Sequence, residues 1–519
     1  VATSLLVRSA RVSKKPLPYL ILAAFAGIYL YPFVRELADS PDAGVFINGA
    51  AMVAKGALPS RDFVEPAGPG SFFWLALFFR LFGTSLATAQ TLLAATGAAI
   101  TLLVFYLARQ MGGSGLFAAL FVLAMGVPLG AHNSPHYDST LFALAALALF
   151  LRAWEGLPQA GIWLLAAGIG CGFTSWFMQQ KGLYLMLALA AALMFRYRKQ
   201  ATQPVLVLSS SYAATVGLQF ALFAMLRALP HLFYANYVLP LTAYGQINGA
   251  PYGFPIWQNL WPSFLAASRH RSIVPLAWTE AAILTVPFLL AMAIPVLLPV
   301  VALAAKVNPL EKAVLPCWLA AYAIWLSELH RLDIGHLRNG CVLLVVLFFN
   351  ICETGGNRVL KALGLGVTMS LVFGATSHLA AAFSDTVVTQ TRRGAIYSDA
   401  PLPIVAFLQA HTRPGDELFI YPYQPIYYFL EDLQNPTRYS CLLYGYSPAA
   451  QFNEAINDLE RKKVRYVLYD LQLSGRNLEK VFPAYRHPDA ERLIMEPYLA
   501  AHYRAVTTAG RFQILERQR

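Results

Sequence analysis

The chain has 519 residues, of which 57% are hydrophobic and only 13% charged. Soluble globular proteins carry about 25% charged residues, so the composition excludes an ordinary soluble fold. The formal net charge of +12 does not make the chain a nucleic-acid binder, because its clustered Lys and Arg lie in short turns between apolar blocks, where they report membrane topology.

A bilayer crossing takes about 20 apolar residues. About eleven blocks approach that length, near 17–35, 85–109, 115–132, 138–154, 160–179, 182–195, 204–226, 279–305, 313–327, 338–352 and 362–383. The first block is read as a retained span rather than a cleaved signal, since Tyr31, Pro32 and Phe33 follow it in place of small residues. The basic ends Arg8–Lys15, Arg109, Arg152, Arg196–Lys199, Lys306–Lys312 and Arg358–Lys361 alternate with the other span ends. Excess Lys and Arg stay on the cytoplasmic side. A cytoplasmic N-terminus and, with an odd span number, a C-terminus on the opposite face follow as expectations.

Segment 36–84 is a long semi-polar loop on the outer side. It holds an expected amphipathic helix, Gly44–Lys55, a Gly/Pro turn, Pro66–Gly70, and an aromatic helix, Ser71–Phe82, suited to the interface plane. Segment 227–278 is a second long outer loop, rich in Tyr, Trp, Asn and Pro. No repeat period stands out. From residue 385 to 519 the composition becomes that of a small soluble α/β domain following the membrane domain 1–384. Its expected elements are helices at Ile404–His411, Ala449–Lys462 and Pro488–Ala500, and strands at Glu417–Tyr421, Val464–Tyr469 and Arg511–Leu515. The fold class is thus a polytopic α-helical membrane protein, with about eleven spans plus juxtamembrane helices and a C-terminal soluble α/β domain. Four of the five cysteines, Cys171, Cys317, Cys341 and Cys352, lie in or beside apolar blocks, and only Cys441 is in the polar region. They form neither a metal spacing nor a disulfide framework.

The polar residues that could carry chemistry gather in the outer loops. The first loop reads Asp42-Ala-Gly-Val-Phe46, then Gly56-Ala-Leu-Pro59-Ser-Arg61-Asp62-Phe-Val-Glu65, then Gly68-Pro69-Gly70. Asp42 opens a helix and could be its N-cap. Asp39 could cap as well, and Arg61–Asp62 could be a solvated pair. His136 and Asp138 precede an apolar span, which Asp138 could cap. Lys181, in Gln179-Gln180-Lys181-Gly182, breaks the charge pattern of the outer turns. It could snorkel, but an ionisable group at membrane depth is a functional candidate. Arg331, Asp333 and His336 form a dense cluster, either paired within itself or presenting Arg331's planar donors to a phosphate. Arg269 and Arg271 form a third basic cluster, read first as contacting lipid headgroups. No nucleotide-binding Gly-rich loop occurs.

The first-loop stretch resembles the GT-C superfamily of membrane glycosyltransferases. It is similar to the bacterial branch of protein O-mannosyltransferases and the aminoarabinose transferase of lipid A. That pattern has an acid and Gly opening a juxtamembrane helix, Gly-x-x-Pro-Tyr-x-Asp, and a Pro/Gly turn into an aromatic helix. The departures are Ala43, Ser60 and Gly68, where Glu, Tyr and Pro are common; Ala43 removes the second acid of a carboxylate pair. The resemblance implies a bacterial inner-membrane enzyme that moves a sugar from a polyprenyl-phosphate donor to an acceptor hydroxyl of unknown identity on the outer face. In that reading Asp42 is the base, Lys181, Arg331 and His336 contact the donor phosphate, and Arg61, Asp62, Glu65, His136, Asp138, Arg269 and Arg271 support it or face the acceptor. Lys181 and Arg331 should then approach the cavity that holds Asp42. No metal, no cofactor and no nucleic acid is expected; membrane lipids surround the chain. The rival readings are a transporter or flippase of a lipid-linked saccharide, which would show repeats and broken helices, and an inactive envelope scaffold.

Overall fold

A computed structural model describes residues 16–35, 41–130, 132–156, 159–256, 274–310, 314–383, 386–398 and 400–518. Helices occupy all eleven stretches named above. Among the described residues, seven of them are long and apolar enough to cross a membrane: Leu17–Arg35, Leu86–Gln110, Pro135–Trp154, Ala160–Phe177, Thr202–Met225, Ala282–Ala304 and Arg358–Ala380. An eighth crossing would be the pair Ile334–Gly340 and Val342–Thr354, bent by 59° at Cys341. No broken helix was expected, so this bend corrects the sequence reading. Helices Leu116–Met125, Gln179–Tyr197 and Leu315–Ser327 complete the set.

Inside a membrane every backbone carbonyl needs a partner within the protein. Helix Val274–Ala304 contains Pro287, Pro295 and Pro299, each lacking an N–H for the carbonyl four residues earlier. The carbonyl of Pro295, left over by Pro299, accepts instead from the Tyr322 hydroxyl at 2.8 Å on a neighbouring helix. One large apolar cluster joins these helices, with Phe121, Phe150, Leu185, Leu298, Phe348 and Phe349 at its centre.

The first loop folds into helices Pro41–Ala54 and Gly70–Phe82. The first of them was expected to be amphipathic, but Ala43–Ile47, Gly49–Ala51 and Val53 are all buried. The reason is that it is sandwiched. Phe46 stacks on Phe72 of the aromatic helix, and its other side meets helix Ile426–Leu430 of the C-terminal region. At Gly44 a Cβ would lie 2.2 Å from the Ile426 backbone nitrogen, so only glycine permits this seat. The aromatic helix buries Phe72, Leu75, Ala76 and Phe79 and leaves Leu77, Leu81 and Phe82 exposed.

The C-terminal region begins with a hairpin, β1 (Val387–Thr391) and β2 (Gly394–Ser398). A four-stranded sheet follows, made of β3 (Phe419–Tyr421), β4 (Tyr466–Asp470), β5 (Tyr503–Ala509) and β6 (Phe512–Arg517) in the order β3-β4-β6-β5. Strands β3 and β4 are parallel, which requires a crossover; helix Ala449–Lys462 lies within it and packs Phe452, Ala455 and Leu459 on the sheet. The helix expected at Pro488–Ala500 is instead Met495–His502. The region is fastened to the membrane domain at several points. Arg35 stacks over Tyr397, Leu86 N–H donates to the Arg393 carbonyl, and Lys55 pairs with Asp432 at 3.1 Å.

Candidate active site

Two polar clusters meet where the span ends face the C-terminal region. The first surrounds Asp42, in the first turn of helix Pro41–Ala54. The Tyr423 hydroxyl, from the C-terminal region, donates to Asp42 Oδ1 at 2.5 Å. Burial, and then the charge of Asp42, push Tyr423 well above its ordinary value, so this hydroxyl keeps its proton. Glu65 is buried nearby and accepts from the Ser440 hydroxyl. Burial first, and Asp42 second, raise its carboxyl well above the usual range. The same two causes, joined by Glu65, push the Cys441 thiol up. A second acid near Asp42, missing at Ala43, is therefore supplied from further along the same loop by Glu65, whose charged form burial and the neighbouring carboxyl both disfavour.

The other first-loop residues have local partners. Arg61 forks onto Asp62 at 2.8 and 2.9 Å, and Asp62 also accepts from Leu58 N–H at 2.7 Å. Asp138, in the first turn of its helix, accepts from Ser71 at 2.7 Å and so ties helix Pro135–Trp154 to the aromatic helix. Asp39, Arg269 and Arg271 lie outside the described residues.

The second cluster centres on Glu328, which the sequence reading did not name. Lys181 is fully buried, and its ammonium lies 2.6 Å from Glu328 Oε1 and 3.0 Å from Thr140 Oγ1. The lysine points inward because its helix packs tightly at Gly182, where a Cβ would meet Cys171 and Ser175. His136 Nδ1 sits 2.8 Å from the other Glu328 oxygen. Burial works to raise the Glu328 carboxyl, yet His136, Lys181 and His336 outweigh it and hold it well below its ordinary value. The signal for Glu328 was present: it is an acid directly after an apolar helix, at membrane depth.

Arg331, Asp333 and His336 form the adjoining edge. Asp333 caps helix Ile334–Gly340 through His336 N–H at 3.0 Å, meets His336 Nδ1 at 2.9 Å, and pairs with Arg331. Burial would raise Asp333, but His336 and Arg331 pull it far down. Arg331 also donates to Asn248 at 2.8 Å. The rings of His136 and His330 lie 4.7 and 4.8 Å from His336. His136, Glu328 and His336 each offer one ligand atom, all within 4.8 Å of one another. A divalent cation there would meet the Lys181 ammonium already seated on the same carboxylate.

His132 links the clusters. Burial lowers its imidazole below its ordinary value; Asp42 opposes that shift, while His136 and Arg338 add to it. One imidazole thus lies within electrostatic reach of the first-loop acid, the histidine cluster and a further arginine. Tyr423, Glu328, His132 and Arg338 are the site residues that sequence reasoning missed.

Removing one partner of a buried ion pair costs about 3–5 kcal/mol, whereas replacing both is close to neutral. Glu328→Gln is therefore expected to destabilise the chain by about that much, and Lys181→Met in the same chain to restore most of it. A thermal-unfolding double-mutant cycle checks this; additive losses would show that the two groups do not form a pair.

Neither a family model nor a curated protein matches the chain. Solved structures do. The oligosaccharyltransferase AglB from Archaeoglobus fulgidus, in complex with an inhibitory peptide and a dolichol-phosphate, shares 12% identity and superposes with a TM-score of 0.52 over 89% of this chain and 70% of that one. The same enzyme tethered to an acceptor peptide gives 0.50 at 12% identity over 98% and 74%. ArnT from Cupriavidus metallidurans bound to undecaprenyl phosphate gives 0.41 at 14% identity over 96% and 97%. The likeness to AglB is one of fold: the chain shares with that structure its overall fold, here a set of apolar helices followed by a C-terminal region with a four-stranded sheet.

Proposed function

We propose that the protein is a glycosyltransferase that moves a sugar from a polyprenyl-phosphate donor to an acceptor hydroxyl on the outer face of a bacterial cytoplasmic membrane. The observation that carries this reading is that Asp42, His136 and Arg338 all lie close enough to act on the buried His132 imidazole, so the first-loop acid and the cation-rich cluster share one neighbourhood. Glycosyl transfer needs a base for the acceptor hydroxyl and positive charge for the departing phosphate. The fold adds support, since AglB, similar in fold, is solved with a dolichol-phosphate.

In this reading Asp42 accepts the proton of the acceptor hydroxyl as that oxygen attacks the anomeric carbon. The carbon–oxygen bond to phosphate breaks, and the polyprenyl phosphate leaves with the bonding pair. Tyr423 holds Asp42 in place. Glu65, whose carboxyl is raised by burial and by Asp42, is the second acid of the site. Arg331 and His336, braced by Asp333, form the donor side. Lys181 acts there through Glu328, whose orientation it sets. Arg61 and Asp62 shape the first loop, and His136 and Asp138 brace the donor side. Arg269 and Arg271 are assigned to the lipid or acceptor surface. The bend at Cys341 favours one second reading, a lipid-saccharide transporter, in which broken helices line the path.

The orientation follows from the basic turns. With the N-terminus inside, Ser114→Cys and Asn308→Cys stay unlabelled by an impermeant thiol reagent added outside. Labelling of either would invert or break the topology.

Asp42→Asn tests the base. Asparagine and aspartate are both well accepted at the start of a helix, and asparagine still accepts from Tyr423, so the melting temperature should barely move. Sugar transfer in reconstituted membranes should fall by about a hundredfold or more, with donor binding retained. Wild-type transfer by folded Asp42→Asn would end the assignment. Absence of transfer by the wild-type chain, with saccharide moved across the membrane, would favour the transporter.

A further inference from the structure

The buried charges near the site do not all balance. Lys181 is matched by Glu328, and Arg331 by Asp333. Arg338 is 9% exposed and, among the described residues, forms no ion pair. Its Nε is buried without a hydrogen-bond partner, and Nη1 reaches only the Leu129 carbonyl, at 3.4 Å. The Tyr137 hydroxyl lies beside it. An arginine stays charged at any working pH, and burying a cation without a counter-charge costs several kcal/mol. A protein keeps such a group where a ligand supplies the missing anion.

The surroundings indicate what that ligand is. Arg338 sits at the last turn before the bend at Cys341. It lines a cavity whose other walls are mostly apolar, including Leu30, Ile100, Phe121, Val127 and Val342. These come from four different membrane-domain helices and the turn 127–129. An arginine at the polar end of an apolar cavity fits an amphiphile with one anionic head and one hydrocarbon chain. Arg338 is also within electrostatic reach of His132, which in turn senses Asp42.

We infer that Arg338 is the group that contacts the donor phosphate directly, and that the cavity behind it takes the first isoprene units of the polyprenyl chain. The inference rests on the transferase reading and deepens it by naming the lipid-head contact. One chain and one phosphate match one cavity and one unbalanced cation; a two-chained glycerophospholipid does not.

The test uses the full chain, with undecaprenyl phosphate as the probe and undecaprenol and phosphatidylglycerol as controls. The wild type should bind undecaprenyl phosphate, and undecaprenol at least about tenfold more weakly, the effect of one lost charge-assisted contact. Arg338→Met should lose undecaprenyl phosphate binding by the same factor or more. Its lipid-free melting temperature should stay level or rise, because an unbalanced buried charge has gone. Arg338→Lys should bind with intermediate affinity. Ile100→Trp, which fills the cavity and leaves Arg338 in place, should also weaken binding. Wild-type binding by Arg338→Met, or a lower lipid-free melting temperature, would assign Arg338 a structural role and overturn the inference. Equal competition by phosphatidylglycerol would overturn the choice of a polyprenyl chain. If binding follows these expectations and the wild type transfers no sugar, the transferase reading falls while the lipid site stands.

Discussion

Positive charge held in a low-dielectric wall has to be met by negative charge, and the polar end of this membrane domain is built around that constraint. Lys181 has no exposure, so its place depends on Glu328, and Glu328 in turn fixes His136 through its second oxygen. Three segments far apart in sequence are thereby locked together: the start of helix Pro135–Trp154, the start of helix Gln179–Tyr197, and the end of helix Leu315–Ser327. Asp333 repeats the arrangement one turn further on with Arg331 and His336. Once these pairs are formed, Arg338 is the buried cation in this cluster whose charge no carboxylate among the described residues balances. The same electrostatic rule that stabilises the scaffold thus marks the position where a ligand anion belongs.

The opposite side of the site depends on a steric constraint. Helix Pro41–Ala54 and the Ile426–Leu430 helix approach so closely at Gly44 that no side chain fits between them. Two residues before Gly44 stands Asp42, and three before Ile426 stands Tyr423, so the seat places the phenol on the carboxylate. Ser440 on Glu65 adds a second polar contact across the same seam. The candidate base is therefore held by the C-terminal region through one oxygen while remaining exposed, and an acceptor hydroxyl can approach it beside the Tyr423 hydrogen bond.

The membrane helices could be read from the sequence because twenty-residue apolar blocks leave little choice of structure. The Ala449–Lys462 helix was equally plain, since Phe452, Ala455 and Leu459 repeat at helical spacing. Strand β5 was not, because five of its seven residues face solvent and no alternation marks it. The hairpin of β1 and β2 was also hidden: its strands mix Thr389, Gln390 and Thr391 with Gly394, Ala395 and Ser398, and their pairing leaves no apolar alternation. In the site, Asp42, Lys181, Arg331 and His336 stood out by motif or by violating the charge pattern. Glu328 carried a signal that was passed over, an acid directly after an apolar helix, whereas Arg338 becomes notable only once the absence of a carboxylate partner is known. Tyr423 lay within a recognised aromatic stretch, but its bond to Asp42 spans 381 positions, a distance over which local pattern carries no information.

The most direct measurement is an experimental structure of the chain with undecaprenyl phosphate bound. The account predicts the phosphate within hydrogen-bond distance of the Arg338 guanidinium, on the His132 side that faces Asp42, with the first isoprene units among Leu30, Ile100 and Val342 and the Lys181–Glu328 pair intact. A phosphate seated on Lys181 with Glu328 displaced, or held away from both Arg338 and Asp42, would contradict it.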